Sequence, residues 1–102
     1  VLIVASGNVV HNLGVLDWQA LEAGYDWAHS FDEEAQRILT SDPSEMPKLL
    51  EHPDWDLAVP TPDHFLPVLY VAGLAVAAGA PCETLLSAYA MGSLSMTSYV
   101  LR

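Results

Sequence analysis

Two of the four histidines stand where they could do chemistry. His64 lies in Thr61-Pro62-Asp63-His64-Phe65-Leu66-Pro67, at the mouth of a long apolar run. In the first turn of a helix the positive end of the dipole disfavours imidazolium and leaves a neutral ring with an available lone pair. That is the state a metal ligand needs. The ordinary alternative is that His64 caps free N–H groups or bonds a nearby loop, because one histidine without a spaced partner is weak evidence for a metal. His11 falls in Val9-Val10-His11-Asn12-Leu13-Gly14, just past an apolar run that reads as a strand. Ligand crevices of open α/β sheets lie at such strand ends. Here too the alternative is that His11 and Asn12 only satisfy backbone groups in a turn. His29 and Glu33 are four apart and read as a solvated surface pair on a helix. His52 precedes Pro53 and reads as a helix terminus with no site role. The sequence has no CxxC pair, Gly-rich phosphate loop or serine-nucleophile elbow.

The elements that must carry these residues follow from periodicity. Val1 to Ser6 reads as an interior strand ended by Gly7-Asn8. Asp17 to Gly24 is short and ambiguous. From Asp26 to about Thr40, Trp27, Phe31, Ala35, Ile38 and Leu39 recur at helical spacing and mark a core-facing stripe. Asp42-Pro43-Ser44-Glu45 is a capping-box pattern that opens a short helix to about Glu51, with Met46, Leu49 and Leu50 turned inward. Asp54 to Pro60 reads as an extended lead-in. Thr61 then acts as N-cap, Pro62 takes the first helical position, and Asp63 lies in the first turn. From Phe65 to Ala78 nearly every residue is apolar, as in a buried helix, and Gly79-Ala80-Pro81 stops it. Glu83 to Tyr89 is better read as a strand than as a short helix. Met91-Gly92 makes a turn, and Ser93 to Leu101 alternates as a strand with Leu94, Met96 and Val100 toward the core.

Composition bounds the partners. Thirteen Asp+Glu against three Lys+Arg give a formal charge of −10, which argues against nucleic acid or an anionic membrane as partner. The single Cys82 leaves no internal disulfide and suits a reducing cytoplasm. The apolar run over residues 65 to 80 is too short and too rich in Ala and Gly for a membrane span. With 52% hydrophobic residues and a mean hydropathy of +0.29, 102 residues are richly apolar for one domain. That excess, with Val1 opening directly into a strand, suggests the chain is part of a longer protein.

Three stretches, in this order, carry a family resemblance: Ala5-Ser6-Gly7-Asn8-Val9-Val10-His11-Asn12-Leu13, Pro60-Thr61-Pro62-Asp63-His64-Phe65-Leu66-Pro67-Val68-Leu69, and Gly92-Ser93-Leu94-Ser95-Met96-Thr97-Ser98. Together they resemble the C-terminal part of the class III extradiol ring-cleavage dioxygenases, in the DOPA 4,5-dioxygenase-like branch. The likeness extends over essentially all 102 residues. It implies an α/β fold with a central sheet flanked by helices, of which residues 1–102 would be the C-terminal part of one larger catalytic domain. It implies a non-haem iron(II), although some members are found with zinc. The family's Asp/Glu-His-Phe-Leu-Pro histidine matches His64, a metal ligand, and the histidine of its Ser-Gly-x-x-x-His-Asn-Leu motif matches His11, a catalytic acid–base. Asn12 and Asp63 are the neighbours best placed to meet substrate or orient the histidines. The remaining ligands belong to the family's N-terminal half and have no counterpart here, so residues 1–102 alone are not expected to be active.

The function so implied is opening of a catechol ring, DOPA-like, with O₂. Two rivals remain: a non-catalytic metal-binding or scaffold relative of the same fold, and a metal-dependent hydrolase with a water-activating carboxylate near His64. Enzymes of this kind often self-associate, and the sequence holds no distinct interface signal.

Overall fold

A computed structural model describes all 102 residues, Val1–Arg102. Its spine is helix α1, Asp26–Ser41, which buries Ala28, Phe31, Asp32, Ala35, Ile38 and Leu39 on one side. The predicted stripe is therefore core, with Trp27 half-buried at its start. Asp42 closes α1 and caps a 3₁₀ helix, Pro43–Glu51: its carboxylate accepts from Ser44 N at 3.2 Å, and Pro43 takes the first position, where a missing N–H matters least. Met46 and Leu49 turn inward, but Leu50 is 55% exposed, contrary to expectation. A 3₁₀ turn repeats every three residues, so Met46 and Leu49 share a face from which Leu50 is rotated away.

The lead-in to His64 is not extended. Trp55–Ala58 forms a one-turn helix, α2, and Ala58 is fully buried. The long apolar helix, α3, runs Leu66–Ala78 and so begins later than the sequence suggests. Pro67, not Pro62, is the proline of its first turn. Residues 62–65 form a separate turn, with Phe65 N and Leu66 N both bonded to Pro62 O. Thr61 does not cap the helix, because its hydroxyl donates to Asp63 Oδ1 at 2.6 Å. Gly79, at φ 66°, ends α3 in the left-handed conformation that favours glycine, and Ala80 N reaches back to Ala75 O. Only Ala72 and Ala75 of α3 are buried, while Leu66, Tyr70, Leu74 and Val76 are exposed. The helix is apolar all round, yet only its small Ala72 and Ala75 are fully in the core, with Val68, Leu69 and Val71 packed half-buried against it.

Four strands complete the α/β fold as small antiparallel sheets: β1, Glu83–Leu86, pairs with β4, Ser98–Val100, and β2, Tyr89–Ala90, pairs with β3, Leu94–Ser95. The predicted Ser93–Leu101 strand is thus split in two, and its phase differs from expectation. Ser93 and Ser95 are buried and Met96 is 48% exposed. Val1–Ser6 is not a strand: it pairs with nothing, and Val1 to Val4 are all exposed. Apolar composition favours a strand only where a ladder forms, and these residues join none. The core joins α1, the 3₁₀ helix, α3 and Val9-Val10, with Phe31, Trp55 and Phe65 in mutual ring contact. No helix is long and apolar enough to cross a membrane.

Candidate functional site

The fold brings His11 and His64 face to face. Their ring centroids are 3.6 Å apart and their planes differ by 17°. Both are partly exposed, the His64 side chain at 42%.

Each histidine is held by backbone from both sides. Val10 and Ser95 exchange two bonds: Val10 N donates to Ser95 Oγ and Ser95 N donates to Val10 O, both at 3.0 Å. His11 bridges Leu94 as an added strand residue, and its own N–H donates to Ala58 O. Asn12 N donates to Ser93 O, and Ser93 Oγ donates back to Asn12 O at 2.6 Å. The buried serines therefore serve as anchors for the His11 loop, which explains why β3 turns hydroxyls inward. On the other side Asn8 N donates to His64 O at 2.9 Å, and Asn8 Nδ2 donates to Ser95 O at 2.7 Å. Gly7 permits that approach, since a Cβ there would lie 2.3 Å from His64 O. The three sequence stretches that carry the resemblance thus meet in one hydrogen-bonded unit.

His64 precedes α3 by two residues and is not in its first turn, so the helix dipole acts on it less directly than the sequence implies. Asp63 Oδ2 lies 3.3 Å from His64 Nε2. A carboxylate at that distance is an electrostatic neighbour of the ring on its Nε2 side. Asp63 itself is held below the usual carboxylate range, chiefly by the Thr61 hydroxyl. His11 is held below the ordinary histidine value by burial and then by the neighbouring His64, with Asp63 acting in the opposite sense. Asn12 is engaged at both ends: Nδ2 donates to Leu57 O, and Oδ1 accepts from Gly14 N to cap the 3₁₀ turn Leu13–Val15.

The other two histidines are elsewhere. His29 Nδ1 lies 3.6 Å from Glu33 Oε1 on the surface, with its ring against Tyr89. His52 Nδ1 accepts from Asp54 N at 3.0 Å and terminates the 3₁₀ helix.

The donor set suits a metal in kind but not in number. Neutral imidazole serves iron or zinc well. No three His, Cys, Asp or Glu side chains of the chain come together as a metal site. Nor can the two histidines chelate one ion as they stand: imidazole lone pairs lie in the ring plane, and those of two nearly parallel stacked rings run side by side without converging. As stacked, the two rings can act separately, each through its own nitrogens, but not as a chelating pair.

Sequence reasoning missed Asp32. It is fully buried on α1, and its Oδ2 accepts from Thr97 Oγ1 at 2.6 Å and Tyr89 OH at 3.2 Å. Burial raises its carboxyl above the ordinary value despite those bonds. The signal was present: Ala28, Asp32, Ala35 and Leu39 share one helical stripe, in which a carboxylate is the odd member.

No family model matches the chain. It is 43% identical over 102 residues to the 4,5-DOPA dioxygenase extradiol of Escherichia coli (strain K12), across 96% of this chain and 37% of that protein. The chain is related to that dioxygenase. A crystal structure of an uncharacterized protein from Escherichia coli K12 is also similar, with a TM-score of 0.78 and 41% identity over 92% of this chain. The chain spans about two fifths of the length of each relative, 37% and 40%.

Proposed function

We propose that residues 1–102 form the C-terminal part of an extradiol dioxygenase domain that opens a catechol ring with O₂, the DOPA type being nearest. The observation that carries this reading is the face-to-face pair His11–His64, at 3.6 Å, in a chain 43% identical to a DOPA dioxygenase. His64 would be one ligand of a non-haem iron(II), with zinc the alternative occupant, and further ligands would come from polypeptide beyond these residues. Bound iron supplies Lewis acidity toward the catechol oxygens and a place for O₂.

The chain's own residues do the rest. Asp63 steadies His64 through the 3.3 Å contact at Nε2. His11, held below the ordinary histidine value by burial and by His64, is neutral at physiological pH and able to accept a catechol hydroxyl proton at a ring nitrogen. Its imidazolium, once formed, lies against His64, which favours giving the proton back during ring opening. Asn12 keeps the loop in place beside the substrate through Leu57 O and Gly14 N.

The test uses two variants of the full-length protein with iron content and ring cleavage measured together. His64→Ala is expected to lose both iron and activity. His11→Ala is expected to keep its iron and lose roughly 10²–10⁴-fold in kcat, the usual worth of a positioned acid–base. Full iron binding and turnover in His64→Ala would remove the proposal.

A further inference from the structure

The His11 loop rests on β3, and β3 is itself gripped from below by a group outside the site. The fully buried Asp32 carboxylate accepts from Tyr89, on the strand paired with β3, and from Thr97, two residues beyond Ser95. Tyr89 is the register partner of Ser95. Ser95 in turn exchanges two bonds with Val10 and accepts one from Asn8. The path from the carboxylate to His11 is therefore short and made of hydrogen bonds that are partly or fully buried, where a lost partner leaves an unsatisfied polar group.

We propose that Asp32 is a positioning residue: through Thr97 and Tyr89 it fixes Ser95, and through Ser95 it sets His11 in register against His64. This rests on the reading that the two histidines act together. Burying a carboxylate in an otherwise apolar helix stripe is unfavourable without a compensating role. Packing alone would be served by leucine or alanine at position 32. The carboxylate instead joins two hydroxyls from different segments at one oxygen, as a fixed junction does. Its second oxygen, Oδ1, has no partner, and Tyr99 OH and Thr84 Oγ1 are buried without partners on β4 and β1. Asparagine at 32 can keep its carbonyl oxygen on Thr97 and Tyr89 and turn its amide into the position of Oδ1. The function assigned is thus that of an acceptor, which the amide retains and an alkyl group lacks.

The stacked imidazoles provide a readout independent of turnover. Each ring lies in the shielding cone of the other, so their carbon-bound protons resonate upfield in the metal-free full-length protein. Thr97→Val keeps the shape and removes one hydroxyl. It is expected to relax that upfield displacement while leaving the thermal unfolding cooperative, and to lower kcat by up to about 10²-fold with KM little changed. Asp32→Ala is expected to abolish the displacement, and Asp32→Asn to keep it. If Asp32→Ala does not fold, Thr97→Val and Asp32→Asn decide. An unchanged histidine shift in folded Thr97→Val, or its loss in Asp32→Asn, would overturn the proposal. Loss of the stack in a protein shown to lack dioxygenase activity would still support the positioning role and would count only against the function proposed above.

Discussion

The residues that matter most here are polar groups taken out of water. Ser95 Oγ receives Val10 N inside the protein, and that N–H makes no backbone hydrogen bond. Ser95→Ala should therefore destabilise the fold by about 1–3 kcal/mol, the usual consequence of an unsatisfied buried donor, as read from urea denaturation. Asp32 makes a sharper prediction. Its carboxyl is raised above the ordinary value by burial, against the lowering effect of the nearby Thr97, Ser95 and Tyr89 hydroxyls. A carboxyl that holds its proton more tightly when folded than when unfolded makes stability fall as pH rises, beginning near the unfolded value of about 3.9 and levelling off above the folded value. Asp32→Asn should remove that decline, so its unfolding free energy should vary less across the window than that of the wild type. A steeper decline in the variant would contradict the assignment. Asp32 was legible only in part: its stripe with Ala28, Ala35 and Leu39 is visible in the sequence, but its partners Tyr89 and Thr97 lie 57 and 65 residues away.

At the scale of elements, those with internal causes were the legible ones. Helix α1 needs only its own periodicity, and Gly79 its own left-handed backbone. Elements defined by a partner were not. Val1–Ser6 has the composition of a strand but no ladder to join, and the Ser93–Leu101 alternation reads in the wrong phase because the loop backbone needs Ser93 and Ser95 more than the core needs Met96. The start of α3 shifted because the sequence offers two prolines, Pro62 and Pro67, each suited to a first turn, and only tertiary contacts choose. Gly7 makes the dependence testable. A Cβ there would meet the His64 carbonyl at 2.3 Å, backbone against backbone with no flexible end to yield. Gly7→Ala should cost about 1–3 kcal/mol by overpacking and should displace His64, so melting temperature and metal content should fall together. Phe31→Ala, in the ring cluster with Trp55 and Phe65, should cost about 3–5 kcal/mol without such a specific effect on metal.

Over the whole molecule, the chain buries 20 of 102 residues while Val1 to Val4, Leu66, Tyr70 and Leu74 lie exposed. The apolar excess read from composition is thus a surface property of residues 1–102. Contiguous apolar surface of this kind promotes association, and the formal charge of −10 opposes it. The pairing of His11 with His64 was legible because two short motifs carried it; its supporting frame was not, because that frame is made of backbone and side-chain hydrogen bonds between segments up to 87 residues apart. As proposed, His64 serves a metal while His11, beside it, handles protons. The most direct measurement is a crystal structure of the full-length protein loaded anaerobically with iron(II). The expected result is a His64 ring nitrogen bonded directly to the metal, with His11 near but unbonded. Metal density remote from His64, or a site completed without it, would contradict the account.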